Sequence, residues 1–342
     1  MSDQSDAGNA VNHPASAASA QGATAQGPTV QAATGQAATG QGASGQGASE
    51  QGLDSRVELS EYLRSRRARL KPEDVGLSGA GRRRRVPGLR REELAQLAGV
   101  SVAYYTRLEQ GNGRGVSAEV LDAVARALRL TDTEHAHLVH LARPKRHARK
   151  PAARQQKVRV ALRQLLDTLD GVPAYIVGRR SDILVWNRMA AAVFGDWGRL
   201  PPQERNWARL VFLESDSREL FVEWETKAAD IVSHLRMDAG RHPEDPQLSA
   251  LVGELSVKSE EFRQLWATHD VKEKGHGVKR LRNPLVGELA LSFETFTLPD
   301  DPEQSLIVYH AEPGSASQES LRLLASWGAD ATRAGAGRRA EN

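Results

Sequence analysis

Leu89-Arg90-Arg91-Glu92-Glu93-Leu94-Ala95-Gln96-Leu97-Ala98-Gly99-Val100-Ser101, continued by Val102-Ala103-Tyr104-Tyr105-Thr106-Arg107-Leu108-Glu109-Gln110-Gly111, is the stretch that decides the fold. The pattern predicts a short helix over Arg91–Ala98, a turn at Gly99-Val100-Ser101, and a second helix over Val102–Gln110. Two helices that cross closely need a small residue on the inner face of the first, and Ala95 supplies it. The turn needs a residue at ease with positive φ, and Gly99 follows four positions later. Leu94, Ala98, Val100, Tyr105 and Leu108 occupy the positions that face inward, and Ser101 is an N-cap. The outer face of the second helix is left free to enter a major groove.

Further helices extend this unit over 56–143. Val57–Leu70 comes first and is stopped by Pro72. Ser117 caps Ala118–Leu130, whose Val120, Leu121, Val124, Ala127 and Leu128 recur at helical spacing, and Thr131 or Thr133 caps a last helix ending near Ala142. The charge of the chain is concentrated here. Residues 56–159 hold 24 Lys and Arg against 11 Asp and Glu, a net +13, between a −4 segment (1–55) and a −6 segment (160–342). A block of that sign attracts polyanions. Arg82–Arg85 form a run of four cations before Pro87, either a solvated loop or, as the nearby reader helix favours, a phosphate or minor-groove arm; the linker cations Lys145, Arg146, Arg149 and Lys150 fit solvation equally well.

The quoted residues resemble the Xre/Cro family of helix-turn-helix repressors. The resemblance implies double-stranded DNA as partner. It places the recognition positions on Ser101, Val102, Ala103, Thr106 and Arg107, with Arg107 suited to a bidentate guanine contact. It puts Arg91 where backbone phosphate is met, and Tyr104 beside a phosphate or against the core. Arg84, Arg85 and Arg114 complete the DNA-binding candidates. A homodimer is expected, because two half-sites multiply the affinity of one short element.

The flanks read differently. Residues 1–52 are almost wholly Ala, Gly, Gln, Ser and Thr, with five-residue near-repeats from Gln31 to Glu50, and are expected to be disordered. Residues 144–171 are expected to be a basic linker and a connecting helix starting near Lys157, with an apolar face of Val158, Leu162, Leu165, Leu166 and Leu169. Residues 328–342 are expected to form a second disordered tail.

Residues 172–327 hold 14 of the 17 aromatics, including all six Trp. Short apolar runs predict strands over Ala174–Val177, Ile183–Trp186, Leu289–Thr297 and Leu306–Tyr309, the third with Leu289, Leu291, Phe293, Thr295 and Thr297 on one face. Helices are expected near Asn187–Phe194, Ser217–Met237, Pro246–Leu255 and Ser259–Thr268. The fold class is therefore an all-α helix-turn-helix domain followed by an α+β domain. Trp186, Trp207, Phe212, Trp224, Phe262 and Trp266 are candidates to line an apolar cavity or simply to form the core.

The segments Ile183-Leu184-Val185-Trp186-Asn187, Pro202-Gln203-Glu204-Arg205-Asn206, Gly240-Arg241-His242-Pro243, Phe262-Arg263-Gln264-Leu265-Trp266, Val286-Gly287-Glu288-Leu289 and Tyr309-His310-Ala311-Glu312-Pro313-Gly314 resemble the PAS-like ligand-binding domain of MmyB-like regulators. This implies a small amphipathic ligand such as a fatty acid. Asn187, His234, Arg236 and His269 are the candidates for its polar head.

Other chemistries find little support. The chain has no cysteine, so no disulfide or thiolate site is possible. His234, His242, His269 and His276 lack the i,i+3 or i,i+4 spacing of a helical metal pair. There is no G-x-S-x-G elbow and no P-loop, so neither enzyme activity nor a cofactor is expected. No apolar run reaches membrane-spanning length and no secretory leader is read, so a cytoplasmic, nucleoid-associated protein is expected. The competing expectation is an adaptor whose second domain grips a partner protein.

Overall fold

The computed structural model describes residues 54–77, 88–144, 156–272 and 275–327. The first part is a helical unit: α1 (Ser55–Arg69), α2 (Arg91–Leu97), α3 (Val102–Glu109), α4 (Ala118–Ala127) and α5 (Asp132–Ala142). Local chemistry sets each start. Asp54 accepts from the Arg56 N–H at 2.9 Å, Ser101 from Tyr104 at 3.1 Å and Ser117 from Val120 at 3.3 Å. Of the two threonines expected to cap α5, Thr131 does so, in a reciprocal box with Glu134. Gly99 takes φ 66 in the turn between α2 and α3, and Val100 N–H closes onto the Ala95 carbonyl at 3.0 Å. Leu59, Tyr62, Leu63, Leu94, Ala95, Tyr105, Leu108, Leu121 and Val124 form the core.

The second part is α+β. Its sheet is antiparallel throughout, in the order β2-β1-β5-β4-β3, built from β1 (Ala174–Gly178), β2 (Ile183–Trp186), β3 (His276–Asn283), β4 (Gly287–Leu298) and β5 (Asp301–His310). One face carries the main core, against α7 (Arg188–Phe194), α8 (Trp207–Leu213), α10 (Trp224–Arg241), α11 (Pro246–Lys258) and α12 (Glu260–Ala267), with α9 (Asp216–Leu220) between α8 and α10. A last helix, α13, spans 316–327 and adds Leu321 and Leu324. On the other face α6 (Val160–Thr168) seats Leu166 over Ala174 and Ile176.

Several expectations need correction. The helix expected over Ser217–Met237 is two, because Phe221 and Val222 break out to pair with β3, with Val222 N–H meeting the Arg280 carbonyl at 3.1 Å. α10 then runs on to Arg241. The alternation in β4 holds through Phe293 and half-buried Thr295, but a register irregularity at Thr297/Leu298 leaves Thr297 exposed and buries Leu298. β3, α8 and α13 had no counterpart in the pattern. In the connecting helix, Leu165 faces solvent rather than the apolar face. Arg82–Arg85 and the linker cations lie outside the described residues.

Candidate functional site

α3 divides cleanly into two faces. Tyr105, Leu108 and Glu109 are buried, while Ser101, Val102, Ala103 and Arg107 are exposed and Tyr104 and Thr106 half-buried. The outward set is thus a contiguous patch of short side chains with one long cation a turn further on. Arg107 lies with its guanidinium carbon 5.8 Å from the Tyr104 ring centre. Arg114, on the loop after α3, is also exposed. Arg84 and Arg85 lie outside the described residues.

The inward face ends on a buried anion. Glu109 accepts from Arg67 Nε at 2.7 Å, from Arg91 Nε and from the Tyr105 hydroxyl at 3.4 Å. Arg67 also donates to the Leu89 carbonyl at 2.6 Å. One carboxylate therefore ties the recognition helix to α1 and to the start of α2. Burial, with Glu109 beside it, pushes the Tyr105 hydroxyl far up, so it stays protonated as a donor. Gly111 closes the same junction at φ 85, where a Cβ would collide with the Arg56 carbonyl of α1.

In the second domain the aromatic side chains pack on one another in two groups. Beneath the sheet, Tyr175 meets Phe194, Trp197, Trp207 and Tyr309 at ring separations of 5.4–6.1 Å. Beneath the helices, Trp224 meets Phe212, Phe212 meets Phe262, and Phe262 stacks on Trp266, at 5.9, 5.1 and 5.6 Å. The sheet-side group encloses polar atoms. The Tyr175 and Tyr309 hydroxyls lie 3.3 Å apart. The buried Lys227 ammonium stands 4.2 Å from the Trp207 ring centre. The Trp207 indole N–H lies buried near Tyr175 without a well-formed hydrogen bond.

Residues 58–138 match the model of a helix-turn-helix domain family, and residues 158–324 match the model of the MmyB-like transcription regulator ligand binding domain. The chain is a DNA-binding transcription regulator. No curated protein matches it. Among its described residues no helix is long and apolar enough to cross a membrane.

Placement within this regulator separates the predicted ligand residues. Trp207, Trp224 and Phe262 are buried, Trp186, Phe212 and Trp266 half-buried, and they divide between the two groups. Trp186 and Trp207 belong to the sheet side and the other four to the helix side. The predicted polar head set is not brought together. Asn187 accepts from Ala174 N–H at 3.1 Å and Ala190 N–H at 2.9 Å, and donates to the Leu169 and Val172 carbonyls, so its amide is spent pinning β1, α7 and the end of α6. His234 is exposed, with Nε2 2.8 Å from the Arg179 carbonyl. Arg236 and His269 are buried, but they face the helix-turn-helix unit: Arg236 Nη1 lies 2.5 Å from Glu58 Oε2 and 2.9 Å from His269 Nδ1. Burial, aided by Arg236, pushes the His269 imidazole down to about 4, so it is neutral at ordinary pH.

Sequence reading missed Glu109, Lys227, Tyr175 and Tyr309. Glu109 carried a usable signal, since an acid between inward-facing Leu108 and the closing Gly111 falls on the buried stripe of α3. Lys227 carried none. It stands on α10 among Glu225, Thr226 and Asp230, where a lysine ordinarily reads as solvated.

Proposed function

We propose that this regulator is ligand-responsive, reading duplex DNA through Ser101, Val102, Ala103, Thr106 and Arg107 while the second domain holds a small amphipathic molecule such as a fatty acid. Arg107 reads a base edge, Arg91, Arg114 and Tyr104 meet the backbone, and dimerisation pairs two half-sites. The reading involves no catalytic step and places the protein in the cytoplasm with the DNA it controls.

One observation supports the ligand assignment above the others. Lys227, Trp207, Tyr175 and Tyr309 set hydrogen-bond donors inside an aromatic core. The Trp207 indole N–H can only donate, so the group matches an acceptor-bearing head such as a carboxylate, with an apolar tail against the rings. A buried donor without a well-formed hydrogen bond is costly until it meets an acceptor. Native mass spectrometry of the full-length protein, followed by denaturing extraction, tests this. The expected result is an added mass of fatty-acid size that Lys227→Met weakens. The absence of any added mass after incubation with saturated fatty acids would overturn it.

The partner-protein reading has its own observation. On the outer face of the sheet, α6 covers β1 and part of β5, while Val278 and Phe296 of β3 and β4 are more than half exposed. Failure of the ligand experiment would move the assignment to this face.

A further inference from the structure

The contact between the two domains is a built interface. Met237 and Val271 of the ligand domain are buried in the same cluster as Leu59, Tyr62, Leu63, Leu138 and Leu141 of the reader. Gly240 lies so close to His137 that a Cβ would stand 2.7 Å from its ring. Around this apolar seam lie two buried arginines, one from each domain. Arg236, 1% exposed, pairs with Glu58 of α1, contacts His269, donates to the Trp266 carbonyl and stacks 4.0 Å from the Trp266 ring centre. Arg66 of α1, 2% exposed, donates to Glu134 at 2.8 Å, to Asp270 at 3.1 Å and to the His269 carbonyl. His269, two residues beyond the end of α12, holds a φ of 55, and its carbonyl accepts from Arg66. Both guanidiniums thus meet carbonyls at the C-terminal end of α12, where the helix dipole favours a cation.

Two rigid elements link this interface to the two sites. α10 carries Lys227 in the aromatic core and, about 14 Å further along its axis, Arg236 at the interface. α1 carries Arg66, which grips the ligand domain, and next to it Arg67, which grips Glu109 at the end of the recognition helix. The helix-side stack Trp224–Phe212–Phe262–Trp266 reaches the same Arg236. The connecting helix α6, by contrast, packs on the outer face of the sheet.

We propose that α10 and α1 form the transmission route of this regulator: the Arg236–Glu58 and Arg66–Asp270 contacts set α1, and α1 sets the recognition helix through Arg67–Glu109. The proposal rests on the ligand-responsive reading. A ligand that repacks the rings around Lys227 shifts α10 as a rod, and the interface passes that shift to α1. The test reads the recognition helix directly.

Hydrogen–deuterium exchange of the full-length protein does this without DNA or ligand, so its outcome is independent of the extraction experiment. Arg236→Met cuts the first contact, Glu58→Gln strips its negative charge, and Asp270→Asn strips the negative charge of the second at a half-exposed residue whose loss leaves the core intact. The expected result for each is faster exchange in α1 and α3, by roughly tenfold or more for Arg236→Met, with α4 and β1 changed by less than about threefold. Asp270→Asn gives the same pattern at smaller size, and decides the matter if Arg236→Met does not fold. Uniform acceleration in every helix of the reader, or a change confined to α10 and α12, would overturn the proposal.

Discussion

Replacing Glu109 with Ala removes a carboxylate that holds the recognition helix to α1 and α2. Its side chain is fully buried, and it accepts from Arg67, Arg91 and Tyr105. The variant leaves the Tyr105 hydroxyl without its acceptor and Arg67, whose side chain is 13% exposed, without its anion. Removing one partner of such a buried pair costs about 3–5 kcal/mol. For a helical unit of this size each kcal/mol moves the midpoint by about 4–8 °C, so the reader should melt roughly 12–24 °C lower at the low end of that range. Thermal unfolding followed by far-UV circular dichroism checks this. Tryptophan fluorescence reports separately on the ligand domain, since all six Trp lie there. Glu109→Gln should fall between, because it keeps an acceptor oxygen but turns an amide N–H toward guanidinium groups. A loss below about 1 kcal/mol would show that Glu109 is not a buried anchor of α3, because that is the worth of an exposed pair.

Three further outcomes follow from the same geometry. Gly111→Ala should destabilise the reader by about 2 kcal/mol or more in a urea titration, since it combines a left-handed φ with a collision against the Arg56 carbonyl. Burial pushes the Asp238 carboxyl up to about 7, above its unfolded value, so the protonated acid stabilises the fold and that contribution is lost as pH rises from about 4 to 7. Asp238→Asn should therefore gain on wild type by on the order of 2–4 kcal/mol across that window in melts at pH 4 to 8, and a constant difference would contradict the assignment. His137, which burial pushes down to about 3, acts in the opposite sense, its neutral form losing stability as pH falls below about 6.5. Replacing it with Phe should flatten the acid limb of the wild-type curve in the same series of melts.

The reader was legible because its signals are local. Ala95, Gly99, Ser101 and the spacing of Leu94, Tyr105 and Leu108 each meet a steric or capping requirement within a few residues. The second domain was legible only where one face is apolar and the other polar. β4 shows that pattern as far as Thr295. β3 does not, because its inward positions are Lys279, Leu281 and Asn283, with Lys279 satisfied by Asp230 at 2.7 Å and Asn283 by the Ala192 carbonyl at 3.0 Å. Polar residues answered by distant partners leave no periodic trace. The same limit explains Arg236 and His269. Their types suggested a polar head site, and nothing local shows that their partners are Glu58 and Arg66, some 180 and 200 residues away in the chain. Asn187 looked like a functional amide because capping and binding use the same chemistry.

The most direct test of the account is to select duplexes from a random library with the full-length protein and titrate the winner against a scrambled duplex by fluorescence anisotropy at one salt concentration. Wild type should prefer the selected duplex by at least about a thousandfold. Arg107→Ala should lose roughly 1–3 kcal/mol of that discrimination, whereas Arg91→Ala should weaken both duplexes alike. Equal affinity for the two duplexes, or an Arg107→Ala variant that discriminates as wild type does, would contradict the claim that the exposed face of α3 reads DNA sequence.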